Sequence, residues 1–231
     1  MTKTLGIIGG MGPLATARLY ELVTLHDRVE RDQEHFNVII ISIPSTPDRT
    51  AFILGKSSNS PIPSIAHAAS KLAALGANYL AMPCITSHCL LGDLKFERPL
   101  ISMPDETLIR IKADGCRSFG LLATEGTIAT GLFSKLAQHY GLKLILPDSQ
   151  AQARVTDVIY SQVKRGDLSG GAAIREVADG LLKRGADVCV LGCTELSLLN
   201  LTGRFADPLD ITARRAVKLC GGKVAENAVL V

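Results

Sequence analysis

Six cysteines, at positions 84, 89, 116, 189, 193 and 220, are spread along this 231-residue chain, and two of them sit in matching settings. Cys84 follows the apolar run Tyr79-Leu80-Ala81-Met82, and Cys193 follows Val188-Cys189-Val190-Leu191; hydroxyl residues stand just beyond each. Read as strands of parallel sheets, these runs deliver both thiols to strand C-terminal ends, where such sheets bind ligands. The residues after each cysteine can begin helices, and a helix N-terminus favours the thiolate, so a lowered thiol pKa is expected at both. Two thiols facing one another across a cleft suit one reaction in particular. Inverting a stereocentre at an acidic C–H needs a base on one face and an acid on the other, with the roles exchanged in the reverse direction. Thiol and thiolate are both accessible near neutral pH, so one residue type serves both roles. A buried cysteine is more commonly a small packing hydrophobe, and that reading suits Cys89, Cys116, Cys189 and Cys220.

The elements that must position these thiols form a repeating unit of short apolar run, small-residue turn and helical pattern. Strands are expected at residues 4–8, 37–43, 79–82, 118–122, 142–146 and 188–191. Helical patterns run through 13–29, 63–75, 126–139, 153–164, 171–184 and 209–219. Such alternation predicts an α/β fold with mainly parallel, buried sheets.

The halves also resemble one another. A shift of 109 residues (193 − 84) carries Leu72 onto Leu181, Gly76 onto Gly185, Ala77 onto Ala186 and Cys84 onto Cys193. A shift of 114 (126 − 12) carries Gly6 onto Gly120, Gly12 onto Gly126, Ala15 onto Ala129 and Thr16 onto Thr130. The expectation is two similar lobes related by a pseudo-two-fold duplication, residues 1–105 and 106–208, with a cleft between them. A C-terminal helical segment, 209–231, is expected to return to the first lobe.

Composition narrows the function classes. Hydrophobic residues make up 47% and charged residues 20%, which is the balance of an ordinary folded protein. The net charge of +3 is small and its basic residues are scattered, so no nucleic-acid stripe is expected. The apolar start of the chain breaks at Gly9-Gly10, far short of a secretory or membrane segment, so no membrane partner and a cytoplasmic location are expected. The cysteines form neither a CxxC pair nor a His-rich zinc pattern, so reduced thiols and no metal site are expected. Gly10-Met11-Gly12-Pro13-Leu14-Ala15 fits a loose dinucleotide fingerprint, but the second strand ends in Ser42-Ile43-Pro44 without a ribose-binding acid. Arg49, in the turn-like Pro47-Asp48-Arg49-Thr50 segment, is suited to gripping a carboxylate through its planar fork. Thr86, Thr124, Thr127 and Thr194 can donate hydrogen bonds to a second carboxylate or serve as caps. His88 reads equally as an orienting partner or as a satisfied structural histidine.

Taken together, Gly9-Gly10-Met11-Gly12-Pro13, Pro47-Asp48-Arg49-Thr50, Met82-Pro83-Cys84 with Thr86 and His88, Ala123-Thr124-Glu125-Gly126-Thr127, and Gly192-Cys193-Thr194-Glu195 resemble the PLP-independent aspartate/glutamate racemases along nearly the whole chain. The resemblance implies a two-lobed fold with the active site between lobes, no cofactor, an acidic amino-acid substrate and a homodimer. It implies Cys84 and Cys193 as the acid–base pair, and Met11, Arg49, Thr50, Thr86, Thr124, Thr127, Lys164, Thr194 and Glu195 as substrate-binding residues. One position departs from the pattern. The residue after the first cysteine is usually asparagine in these racemases, whose amide helps hold the substrate, and here it is Ile85, which has no hydrogen-bonding group. Two other readings stay open: a related cysteine-dependent isomerase or decarboxylase of a dicarboxylate, and a noncatalytic two-lobed metabolite-binding protein.

Overall fold

The computed structural model describes residues 2–224. Its first sheet holds β1 (Leu5–Gly9), β2 (Val38–Ser42) and β3 (Tyr79–Ala81), in the order β2-β1-β3. The second holds β4 (Ser118–Ala123), β5 (Lys143–Ile145), β6 (Val188–Gly192) and β7 (Phe205–Ala206), in the order β5-β4-β6-β7. Every pairing within these sheets is parallel. In each sheet the first strand of the lobe is central, with the second and third strands on either side. β1, β4 and β6 are buried along their full length, which is why they read as unbroken apolar runs instead of alternating ones.

The helices are α1 (Pro13–His26), α2 (Arg49–Ile53), α3 (Ile62–Ala74), α4 (Ile85–His88), α5 (Met103–Ala113), α6 (Glu125–Ala129), α7 (Leu132–Tyr140), α8 (Ser149–Asp157), α9 (Gly171–Lys183) and α10 (Pro208–Cys220). Proline in the first turn of α1, α3, α5 and α10 fixes φ where no backbone donor is needed. The central core joins inner faces of both sheets to α1, α5 and α10, through Leu5, Leu19, Leu108, Phe119, Val190 and Val217. Smaller clusters lie on the outer side of each sheet. α10 packs on α1 and α5, and α5 itself spans the expected boundary at residue 105. The last part of the expected C-terminal segment, residues 225–231, lies outside the described residues.

Matching glycines occupy matching places in the two lobes. A Cβ on Gly6 would stand 3.2 Å from Leu72 Cβ, and one on Gly120 would stand 3.0 Å from Leu181 Cβ. Both strands therefore approach their covering helices, α3 and α9, more closely than a side chain allows.

Two expected helices differ in detail. The pattern at 126–139 forms α6 and α7, split where Gly131 adopts φ 66°. The pattern at 153–164 begins earlier, at Ser149, but its α-helix ends at Asp157. A π-turn, Val158–Gln162, and a 3-10 turn, Val163–Arg165, complete it. Buried Val155, Val158, Ile159 and Val163 hold this stretch to the second lobe's outer core, so packing continues while the hydrogen-bond register changes. π-turns interrupt helices most often at functional sites, and this one carries Tyr160 towards Lys164.

Candidate active site

Cys84 lies just past β3 and Cys193 directly after β6, each only 5% exposed. The two cysteine segments touch: the Thr194 hydroxyl donates to the Pro83 carbonyl at 3.2 Å. Between the cysteines is a chamber whose wall draws on both lobes: Met11, Asp48, Arg49, Thr50, Cys84, Ile85, Thr86, Thr124, Tyr160, Lys164, Cys193, Thr194 and Glu195. Its free volume is about 10 Å³, room for roughly one water. Outside it lies a larger cavity of about 300 Å³ that shares Asp48, Arg49, Lys164 and Glu195 with the chamber wall.

Arg49 opens α2, whose N-terminus is capped by Asp48: the Asp48 carboxylate accepts from Ala51 N at 2.7 Å. The arginine is 9% exposed and reaches back to donate to the carbonyls of Thr46 (3.3 Å), Pro47 (3.1 Å) and Met11 (3.1 Å). These bonds hold the guanidinium in place while its Nε remains buried without a hydrogen-bond partner. Burial alone would lower the Arg49 pKa, but the charge and hydrogen bonding of Cys84, with Asp48 and Glu195, hold it above its ordinary value. Lys164 faces Asp48, its Nζ 4.0 Å from Oδ2 and 4.2 Å above the Tyr160 ring centroid. Burial opposes its charge too, and Glu195, Cys193 and Tyr160 outweigh both burial and the nearby Arg49 to raise its pKa.

Three threonines close another wall. The hydroxyls of Thr86, Thr124 and Thr127 are mutually hydrogen-bonded at 3.1, 3.0 and 3.1 Å, all buried. Thr124 also caps α6 by accepting from Thr127 N. Gly126 lets α6 approach α2 here, since a Cβ would stand 2.9 Å from Thr50 Cα. Behind Cys84, the His88 Nδ1 lies 2.9 Å from the Cys84 carbonyl, and its Nε2 accepts from Met103 N at 3.3 Å. Met103 offers an N–H only, so Nδ1 carries the proton and His88 is a fully satisfied neutral ring.

Cys193 departs from the expected lowered pKa. Burial, the Glu195 charge and a hydrogen bond to Glu195 hold it well above its ordinary value, against the smaller opposing influence of Lys164. Its Sγ donates to Glu195 Oε2 at 3.0 Å. The segment after it is a 3-10 turn, Thr194–Leu199, not an α-helix, and α4 after Cys84 is only four residues long. Neither provides a long helix dipole, and burial, with the adjacent carboxylate second, decides the outcome at Cys193. Among the other cysteines, burial raises the thiols of Cys89 and Cys116, with Cys189 reaching about 12 and Cys220 about 11.

Of the expected site residues, all but Thr127 line the chamber, and Thr127 joins it through Thr86 and Thr124. Asp48 and Tyr160 line it as well, and neither is among the expected site residues. The N-cap position of Asp48 offered a local signal; the π-turn that presents Tyr160 offered none. Among the described residues, no cluster of three or more His, Cys, Asp or Glu could hold a metal ion, and no helix is long and apolar enough to cross a membrane.

A family model described as Asp/Glu/hydantoin racemase matches residues 8–216. The chain belongs to this family. An aspartate racemase from Picrophilus torridus superimposes with a TM-score of 0.87 at 26% identity, covering 97% of this chain and 96% of the other. An aspartate racemase homologue from Pyrococcus horikoshii OT3 shares the fold, with a TM-score of 0.75 at 24% identity over 95% of this chain and 99% of that one. Among curated relatives, the broad-specificity amino-acid racemase RacX of Bacillus subtilis strain 168 is 24% identical over 205 residues, 84% of this chain and 86% of its own. The two parallel sheets are the two-lobed architecture of this racemase family, and the family assignment makes isomerase chemistry the reference for the chamber.

Proposed function

We propose that this chain is a cofactor-independent racemase of an acidic amino acid, aspartate first and glutamate second. Cys84 and Cys193 move the Cα proton between opposite faces of the substrate. The observation that carries the reading is the convergence of both thiols on one buried chamber that also presents Arg49 and Lys164. Two carboxylates need two cationic or hydroxyl-rich partners. Arg49, with its unpartnered Nε, and Lys164 supply one side; the Thr86, Thr124 and Thr127 hydroxyls with Thr194 supply the other. Met11, Thr50 and Glu195 complete the wall. Backbone N–H groups just after each cysteine, at Ile85 and Thr194, are the donors for the enolate-like charge that develops as the Cα proton leaves.

In one direction the thiolate of Cys84 removes the proton while the Cys193 thiol delivers its own to the opposite face; the other direction exchanges the roles. The chamber is too small for an amino acid, so substrate reaches it through the outer cavity as the lobes part, and closure then excludes water from the reacting face. Incubation with each enantiomer of aspartate, glutamate and a panel of neutral amino acids, without PLP or nucleotide and with a chelator present, should show inversion by chiral chromatography. Absence of inversion across the panel overturns the racemase reading. Formation of carbon dioxide or of a cis–trans isomer in its place would identify a related isomerase or decarboxylase.

A further inference from the structure

Glu195 touches two compartments. Its Oε2 accepts the S–H of Cys193 at 3.0 Å and the Thr194 hydroxyl at 3.3 Å. Its Oε1 faces the glycine loop, where a Cβ on Gly12 would stand 3.2 Å away. Glu195 lines both the inner chamber and the outer cavity of about 300 Å³, whereas Cys193 lines the chamber alone of these two. Cys193 therefore has no wall position on the outer cavity, and the carboxylate that binds its thiol does.

A two-base inversion leaves its catalyst in the opposite protonation state. Once Cys193 has delivered a proton and Cys84 has taken one, the chain holds a thiolate at Cys193 and a thiol at Cys84. The same enantiomer cannot be inverted again until Cys193 regains a proton and Cys84 loses one. Building on the racemase reading, we propose that Glu195 is the proton relay between Cys193 and solvent, resetting the free enzyme after each turnover. In the reset, the Glu195 carboxylate takes a proton from hydronium or a buffer acid in the outer cavity. That O–H bond then breaks as an S–H bond forms at Cys193, which restores the carboxylate that accepts the Cys193 S–H. Cys84 gives its proton to bulk water as product leaves. For the other enantiomer each transfer runs backwards. Glu195 acts through Cys193 and contributes to the reset, not to the removal of the Cα proton.

Glu195→Gln preserves the shape and the contact with Cys193 but cannot carry the proton; Glu195→Ala opens a gap against the outer cavity. Both are compared with wild type on L- and D-aspartate, with enzyme in excess for a single turnover and with substrate in excess for steady state. In the single turnover the variants show only the loss that comes from Glu195 as part of the chamber wall, and the relay is read as the additional loss in the steady state. Steady-state turnover falls by about 10²-fold or more, the range a positioned acid–base group contributes. Formate or acetate should then restore the steady state of Glu195→Ala in proportion to its concentration, without restoring Glu195→Gln, whose amide still fills the place. Equal losses in both regimes without rescue, or an unchanged steady state, would overturn the relay. If the alanine variant does not fold, the comparison of regimes in Glu195→Gln decides alone. Failure of wild type to invert any amino acid is a separate result, which removes the racemase reading and the relay with it.

Discussion

Replacing His88 tests how firmly the first cysteine is held. The ring is buried, with Nδ1–H directed to the Cys84 carbonyl and Nε2 accepting from Met103 N, so it ties the cysteine segment to the start of α5. His88→Ala leaves that carbonyl and that N–H without partners, at about 1–3 kcal/mol for each buried group. The expected loss of about 2–6 kcal/mol lowers the melting temperature by roughly 5–20 °C in a chain of this size. The pH dependence is equally specific. Burial lowers the His88 pKa from the ordinary 6.5, outweighing the raising influence of the Cys84 and Ile101 backbones and of Asp105. Below pH 6.5 the unfolded chain binds a proton that the folded chain refuses. His88 therefore adds no pH penalty above that value and costs stability as the pH falls, by up to about 1.4 kcal/mol per unit. Thermal unfolding of wild type, His88→Ala and His88→Gln at pH 5.5, 6.5 and 7.5 reads both effects. Glutamine can supply a donor and an acceptor, so it should recover part of the stability lost in alanine and remove the histidine contribution to the acid-side fall. An alanine variant as stable as wild type, or a glutamine variant with the full wild-type acid-side slope, refutes the account.

Arg49→Ala should lower kcat/KM for aspartate by about 10- to 100-fold, matching the roughly 1.5–3 kcal/mol of a charge-assisted hydrogen bond, with a smaller effect on neutral amino acids. Arg49→Lys should recover little of it, because lysine lacks the planar fork; unchanged kinetics in Arg49→Ala would remove the residue from the site. Ile85 is 1% exposed in the chamber wall, and Ile85→Asn should raise activity on acidic amino acids if the missing amide limits it. A folded variant with no gain on any such substrate would show that the pocket is built around isoleucine. Cys84→Ser and Cys193→Ser should each reduce inversion by about 10²–10⁴-fold. In deuterated water, one should retain Cα exchange mainly with the L substrate and the other mainly with the D substrate, as followed by NMR; wild-type racemisation in both would end the two-cysteine mechanism.

Much of this architecture is legible in sequence because the buried strands have no alternative reading. β1, β4 and β6 are continuous apolar runs closed by glycine or small residues, and Gly6 and Gly120 repeat because the same strand-to-helix approach is needed twice. The cysteine pair is legible for a related reason: strand ends in parallel sheets define where a ligand meets the chain. Other features depend on what a segment meets after folding. The pattern from 153 to 164 is helical in spacing, yet a π-turn places Tyr160 and a 3-10 turn carries Lys164, a change of register that leaves the apolar positions where they were. The four-residue helix α4 and the short α2 are too brief to stand out as periodicity. Most tellingly, local helix logic predicts a lowered pKa at Cys193, while burial, joined by the charge of a side chain two residues away folded back onto its sulfur, raises it.

The cramped space between the cysteines has a practical consequence for anyone labelling this protein. A reagent such as iodoacetamide cannot fit where only about 10 Å³ is free, so alkylation of Cys84 or Cys193 requires a momentary widening of the interior. Their modification rates then become a clock for that breathing motion. Competition from a bound dicarboxylate can be followed in the same experiment, by peptide mass, without monitoring turnover at all.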